Sequence, residues 1–148
     1  MKIEFSKKEI SDISKKILDK LLKNKIKKAK VIALSGDLGA GKTTLTKEIG
    51  KVLGIKNNII SPTFVIMKIY NIKSDSVYYP YFKRLIHIDA YRLNSSSDLV
   101  KIGWNELQED KDNLIVIEWP ELVKECIPSD AFCVKLGHID EQTRVSEF

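Results

Sequence analysis

The sequence VIALSGDLGAGKT occupies residues 31–43 and joins an apolar run to a glycine-rich loop. Residues 31–35 are compact and apolar, as in a buried β-strand. Residues 36–43 match G-x-x-x-x-G-K-[ST], the Walker A phosphate loop. A helix is expected over residues 43–53, with Gly54 placed to end it. A strand, a phosphate loop and a helix in this order predict a nucleotide-binding α/β domain.

The chemistry of a phosphate loop gives each part of this motif a role. Glycines let the backbone adopt positive φ and turn its N–H groups toward a polyphosphate, and the start of the helix favours negative charge. Lys42 is expected to reach the β- and γ-phosphate oxygens of ATP, and the Thr43 hydroxyl to ligate Mg²⁺. The residues expected to bind the nucleotide here are Gly36, Asp37, Leu38, Gly39, Ala40, Gly41, Lys42, Thr43 and Thr44.

A second fully apolar run, residues 114–117, predicts another central strand, and Glu118 ends it. An acid at the tip of a strand beside the phosphate-loop strand fits a Walker B position. We expect Glu118 to hold Mg²⁺, directly or through water, and to help orient an attacking water. Trp119 follows it and either packs at the strand end or contacts the nucleotide or a partner.

The predicted strand at residues 83–89 is apolar on one side and polar on the other. His87, Asp89 and Tyr91 share the polar side, which suggests the wall of a site. Asp89 is expected to bind a metal-bound water or position the nucleophile, so the expected catalytic residues are Lys42, Asp89 and Glu118. The alternative is that Asp89 only caps the next element. A structural role is the simpler interpretation of His87, and Arg92 is a candidate phosphate clamp or a partner of Asp89.

The sequence Ser61-Pro62-Thr63-Phe64 follows the phosphate-loop helix. Many nucleotide hydrolases carry a γ-phosphate sensor in this stretch, and Thr63 is the candidate. The alternative is a proline-directed turn into the strand predicted at residues 64–70.

The rest of the chain continues the alternation of strands and helices. A strand is predicted at residues 2–5 and a helix at about 7–24, opened by a capping box between Ser6 and Glu9. An exposed loop or hairpin connection is predicted at 71–80, short helices at 97–101 and from Pro120, and closing strands at 132–136 and 144–148. Residues 1–148 thus read as a single P-loop domain with a mostly parallel central sheet flanked by helices.

Composition fits a soluble globular protein, with 43% hydrophobic and 30% charged residues among 148. The net charge is +5, but residues 1–30 alone carry +7, and the chain has only three arginines. A solvated lysine-rich helix face explains this charge better than DNA binding does, although an acidic partner would also fit it. No secretion signal or membrane segment is recognised, and two cysteines outside any C-x-x-C pair suit a reducing cytoplasm.

Motifs that are missing from the sequence argue against some classes of nucleotide-binding protein. Without N-K-x-D and D-x-x-G signatures a GTPase is not favoured, so adenine is expected to be preferred over guanine. The few arginines argue against the lid of a small-molecule kinase. An ATPase is the preferred interpretation, with a nucleotide-binding regulatory module or a small-molecule kinase as alternatives.

The set GDLGAGKTTLTKEIG, SPTF, HIDAYRL, IGWNEL and IEWPE, in that order, resembles the TsaE family of bacterial ATPases, also called YjeE. The resemblance covers residues 31–120 and extends weakly into the flanks. The phosphate loop occurs in many proteins, but its combination with the other four motifs at these separations is highly specific.

This resemblance implies a role in forming threonylcarbamoyladenosine beside the anticodon of tRNAs that read codons starting with A. It implies ATP binding and hydrolysis with Mg²⁺, and action on a complex of TsaB and TsaD, through which tRNA is reached indirectly. Position by position, Lys42 and Thr43 match the family's phosphate and Mg²⁺ residues, and Glu118 matches its Walker B acid. The family's strand acid, tryptophan and switch-like threonine correspond to Asp89, Trp119 and Thr63.

Overall fold

The computed structural model describes residues 2–138 and 143–147. Their strands form one seven-stranded sheet in the order β1-β7-β6-β2-β5-β4-β3. The strands are β1 (Lys2–Ser6), β2 (Lys30–Ser35), β3 (Met67–Asn71), β4 (Arg84–Asp89), β5 (Asn113–Glu118), β6 (Phe132–His138) and β7 (Thr143–Glu147). The four central strands β6, β2, β5 and β4 are parallel, and the outer pairings are antiparallel. The predicted mostly parallel α/β sheet is therefore confirmed.

Helices cover both faces of the sheet. They are α1 (Ile10–Lys23), α2 (Lys42–Val52), α3 (Ser96–Lys101) and α4 (Trp104–Glu109). Three short 3₁₀ segments, Lys7–Glu9, Ala90–Arg92 and Pro120–Cys126, connect them to the strands. Helices α1 and α2 pack against one face, and the later helices and 3₁₀ segments against the other.

Strand β2 shows why both faces need cover. Successive side chains of a strand point to opposite faces. Ile32 and Leu34 join the core under α1 and α2, whereas Val31 and Ala33 join the core under α3 and α4. All four are buried, so the run appears in the sequence as continuously apolar rather than alternating.

The lysines of the amino-terminal helix lie mainly on its solvent side, as the pattern predicts. The predicted start at Ser6 is also present, because the Glu9 carboxylate accepts hydrogen bonds from both the N–H and the hydroxyl of Ser6. The first turn is 3₁₀, and the α-helix begins at Ile10.

Strand β3 begins three residues later than predicted. Residues 64–66 form a turn instead, in which Ile66 has φ of +69° and donates its N–H to the Pro62 carbonyl. A β-branched residue rarely adopts left-handed backbone, so apolar composition alone wrongly extends the strand.

Residues 71–80 are predicted from the sequence to form an exposed loop or a hairpin connection. They belong to the hairpin connection between the antiparallel strands β3 and β4, and part of this connection is buried. Ile72 and Phe82 are buried in the core beside α2. The Ser76 hydroxyl donates to the Leu53 carbonyl at the end of α2, at 2.7 Å. This packing holds the carboxyl end of the phosphate-loop helix.

Helix α4 is missing from the sequence-based prediction. Gly103, at φ of +99°, ends α3 and begins α4, whose Trp104 is buried under the sheet. Six residues give fewer than two turns of periodic pattern, too few to recognise as a helix.

The carboxyl ends of β2, β5 and β4 meet at one edge of the sheet. Glu118 pairs with Leu34 on one side and with Asp89 on the other. This edge is where open α/β sheets bind their ligands. Among the described residues, no helix has the length and apolar character needed to cross a membrane.

Candidate nucleotide and metal site

The phosphate loop joins the end of β2 to the start of α2 in the predicted arrangement. Gly36 has φ of +146°, and a Cβ there would lie 2.5 Å from the Leu136 carbonyl oxygen of β6. Gly41 has φ of +102° and directly precedes α2. Glycine is needed at position 36 because a side chain there would clash with the Leu136 carbonyl. Glycine is favoured at position 41 because its backbone is left-handed. The first N–H groups of α2 lack intrahelical partners, so the loop ends in donors suited to an oxyanion.

The Lys42 ammonium is buried inside this loop. Its Nζ donates to the carbonyls of Gly36 at 2.6 Å and Asp37 at 2.9 Å. It also lies 4.2 Å from the centroid of the Trp119 ring. Burial lowers the pKa of Lys42, an effect that the carboxylates of Glu118 and other nearby acids oppose. An anion at the start of α2 would therefore offset a charge that the fold leaves only partly compensated.

Thr43 and Glu118 meet at the base of the cleft. The Thr43 hydroxyl donates to Glu118 Oε1 at 2.9 Å, and His87 Nε2 lies 2.8 Å from the same oxygen. Glu118 is only 3% exposed. Both hydrogen bonds of the Glu118 side chain thus go to Oε1, and Glu118 belongs to the lining of the cleft.

Asp89 uses both carboxylate oxygens. Oδ1 accepts the N–H of Tyr91 at 3.0 Å, so Asp89 does cap the following 3₁₀ turn. Oδ2 accepts the Thr63 hydroxyl at 2.9 Å, and Ser61 Oγ lies 2.6 Å from Thr63 Oγ1. Because Thr63 gives its only hydroxyl proton to Asp89, Ser61 is the donor in the second bond. Ser61 is a cleft residue that sequence reasoning missed.

Trp119 links the strand edge to the loop. It has left-handed backbone, φ of +59° and ψ of +50°, and its N–H donates to the Leu34 carbonyl at 3.2 Å. Its ring lies beside Lys42 and 5.2 Å from the Tyr91 ring. Such backbone in a non-glycine residue costs of order 1–3 kcal/mol and is typical of functional sites. Trp119 thus packs at the strand end and lines the cleft. Its contact with a nucleotide or a partner stays a prediction.

Arg92 is not a partner of Asp89, and its role as a phosphate clamp stays a prediction. Its guanidinium lies over the Phe64 ring, 4.5 Å from the centroid. Asp89 is instead satisfied by Thr63 and Tyr91. Sequence proximity suggested a contact that the 3₁₀ turn between them removes.

One cleft of about 280 Å³ collects most of the predicted residues. Its lining comprises Leu38, Gly39, Gly41, Lys42, Thr43, Thr44, Ser61, Thr63, Asp89, Tyr91, Glu118 and Trp119. Gly36, Asp37 and Ala40 lie outside this lining: the carbonyls of Gly36 and Asp37 accept from Lys42, and the Ala40 N–H donates to the Asp37 carbonyl. A smaller apolar cavity of about 100 Å³ lies on the other side of the loop, toward Phe5 and Leu136, away from the acids.

The donor set fits Mg²⁺. Thr43 and Glu118 supply hard oxygen atoms, and the described residues include no group of three or more His, Cys, Asp or Glu able to hold a metal. Mg²⁺ commonly uses one or two protein oxygens and completes its shell with waters and phosphate. The chain therefore offers part of a metal site that a polyphosphate would complete.

Comparison with known proteins places this geometry in a family. The family model described as "Threonylcarbamoyl adenosine biosynthesis protein TsaE" matches residues 6–146. A "tRNA threonylcarbamoyladenosine biosynthesis protein TsaE" of Rickettsia felis is 37% identical over 131 residues, covering 88% of this chain and 71% of the relative. A protein of that name from Haemophilus influenzae is 33% identical over 131 residues, covering 88% and 77%.

A solved structure supports the same fold. The crystal structure of Bacillus subtilis YdiB matches with a TM-score of 0.71 and 28% identity. The match covers 99% of this chain and 82% of that one.

Proposed function

The chain belongs to the TsaE family of threonylcarbamoyladenosine biosynthesis proteins, and from that premise we propose that it binds Mg²⁺-ATP in the cleft and hydrolyses it. The observation that supports this most is the convergence of Lys42, Thr43 and Glu118 at the start of α2. The modified tRNAs would be those that read codons starting with A. We further propose a cytoplasmic location, with no membrane or DNA partner.

The partner we propose is the TsaB–TsaD complex, through which the chain would reach tRNA indirectly. TsaD would transfer the threonylcarbamoyl group, and ATP hydrolysis here would help the cycle turn over. The surface around Ser61 and Phe64 suits such a contact, because Phe64 is 82% exposed beside the cleft.

Each acid and cation in the cleft has a distinct part in the proposed hydrolysis. Lys42 would exchange its loop carbonyls for β- and γ-phosphate oxygens. Thr43 and Glu118 would hold Mg²⁺, which neutralises charge on the phosphates. Asp89 would position the attacking water, with Thr63 holding its carboxylate in place. The loop N–H groups would bind the remaining phosphate oxygens.

The isolated protein should hydrolyse ATP slowly. Of the arginines whose side chains are described, Arg84 pairs with Asp110 and Arg92 stacks on Phe64. Neither is placed to stabilise transition-state charge in the cleft. An arginine supplied by a partner accelerates related reactions by about 10³–10⁵. A partner that supplied charge, or ordered residues 61–64, would therefore stimulate hydrolysis.

The deciding experiment is steady-state phosphate release by the chain alone and with TsaB–TsaD. We expect slow turnover alone and stimulation with the complex. Turnover of several per second by the isolated chain would contradict the proposed dependence on a partner. Tight Mg²⁺-ATP binding with no stimulated hydrolysis would favour a regulatory module, and a phosphorylated small molecule would favour a kinase. Competition between ATP and GTP checks the base, with ATP expected to bind more tightly.

A further inference from the structure

We propose that His87 is a positioning residue for the metal-binding carboxylate of Glu118. His87 is fully buried on β4, and its Nε2 lies 2.8 Å from Glu118 Oε1. The residues are not directly paired across β4 and β5, since His87 lies opposite Val116. The contact is instead a diagonal one between neighbouring strands, on the face that carries the cleft. This inference rests on the proposed Mg²⁺-nucleotide site.

The contacts of the imidazole indicate which of its nitrogens donates. An ionised carboxylate only accepts hydrogen bonds, so the proton lies on Nε2 and His87 donates to Glu118. The other ring nitrogen, Nδ1, is buried and has no partner among the described residues. His87 therefore donates from Nε2 to Glu118 Oε1.

The surroundings of His87 would suit an apolar side chain. Leu85, two residues before it on β4, and Val116, opposite it on β5, share the sheet face of His87, and both are fully buried and apolar. A histidine among them leaves one ring nitrogen unsatisfied, which a purely structural position has no need to do. The contact that distinguishes it from these neighbours is the bond to Glu118.

The geometry indicates what this bond does. His87 and Thr43 donate to the same oxygen, Oε1, and so fix the orientation of a carboxylate that lines the cleft. Without His87, the Thr43 hydroxyl alone would anchor Glu118, and the carboxylate could rotate away. Removing a hydrogen-bond partner of a metal ligand typically lowers metal affinity by about 10–100-fold. His87 therefore sets the Mg²⁺ affinity of the site, with little effect on nucleotide binding without metal.

Two amide substitutions separate positioning from structure. In His87→Gln the amide nitrogen can reach the place of Nε2 and donate to Glu118. In His87→Asn the amide is one bond shorter, matches Nδ1 instead and cannot reach. Both variants bury an amide at the same place, so they control for polarity. His87→Leu, which needs no hydrogen bond, serves if the Asn variant fails to fold.

The readouts are the affinity for a fluorescent ADP in EDTA and the Mg²⁺ concentration that gives half-maximal tightening, with Mn²⁺ paramagnetic resonance as a direct measure of metal binding. We expect His87→Asn and His87→Leu to raise the Mg²⁺ midpoint by about 10-fold or more. His87→Gln should stay within about 3-fold of wild type, and ADP affinity in EDTA should be unchanged in every variant.

Each other outcome has one meaning. An unchanged Mg²⁺ midpoint in the folded Asn and Leu variants overturns the positioning role. An equal rise of the Mg²⁺ midpoint in the Gln, Asn and Leu variants also overturns it. A wild-type protein that binds no ADP, with or without Mg²⁺, overturns the proposed function itself. Binding of the fluorescent ADP to the wild-type protein therefore distinguishes failure of the positioning role from failure of the proposed function.

Discussion

Thr43 and Glu118 are 75 positions apart in the chain, yet the Thr43 hydroxyl donates a 2.9 Å hydrogen bond to the Glu118 carboxylate. The pairing of β2 with β5 brings them together, because it sets Leu34, next to the phosphate loop, against Glu118. A residue in the first turn of α2 and a strand-end acid thereby become the two oxygen donors of the proposed metal site.

Glu118→Gln should weaken the Mg²⁺ dependence of nucleotide binding. The amide retains the shape of the side chain but loses the charge that favours a divalent cation. We expect the Mg²⁺ concentration for half-maximal ADP binding to rise by about 10-fold or more. Calorimetric ADP titrations at several Mg²⁺ concentrations measure it. Glu106→Gln, at an exposed position of α4, is the matched control. Equal Mg²⁺ dependence in both variants would exclude Glu118 as a ligand.

Lys42→Ala should abolish most of the nucleotide affinity while the fold persists. A hydrogen bond to a charged group contributes about 1.5–3 kcal/mol, so ADP binding should weaken by about 10-fold or more. The loop conformation depends on Gly36 and Gly41 rather than on the lysine. Lys47→Ala removes an exposed lysine from the same helix and should bind ADP like wild type. Fluorescence titration measures affinity, and thermal unfolding checks the fold. Unchanged ADP affinity in folded Lys42→Ala would rule the site out.

Asp89→Ala and Thr63→Val should impair hydrolysis far more than binding. Asp89 bonds Thr63 and the Tyr91 N–H, and neither belongs to the phosphate loop. Positioned acid–base groups contribute about 10²–10⁴ in rate, so we expect partner-stimulated phosphate release to fall by about 10²-fold or more for Asp89→Ala, and less for Thr63→Val. ADP affinity should change by less than about 3-fold for either. Asp75→Ala, in the exposed part of the hairpin, is the control. Normal stimulated turnover by Asp89→Ala would refute its catalytic role.

Trp119 should report nucleotide binding through its fluorescence. Its ring lies 4.2 Å from the Lys42 ammonium, which would move toward the phosphates. The only other tryptophan, Trp104, is 1% exposed in the opposite core and should give a constant background. We expect the emission change on ADP titration to disappear in Trp119→Phe and to persist in Trp104→Phe. The reverse pattern would mean that the signal comes from the core.

The contiguous parts of the site could be predicted from sequence because their causes are local. The phosphate loop needs its glycines for backbone conformation, and α2 begins where the lysine and threonine follow them. The apolar runs around β2 and β5 are continuous because both faces of the sheet are covered. These local signals predicted the α/β class, the central strands and the acids at their ends.

The sequence by itself thus determined the phosphate loop, its helix and the strand-end acids, each within a few neighbouring residues. Tertiary structure alone decided which groups touch: His87 with Glu118, Thr63 with Asp89, and Trp119 with Lys42. It also decided the left-handed backbone of Ile66 and Trp119. The physical reason is that strand order and register join residues far apart in the chain, and no local propensity encodes that pairing.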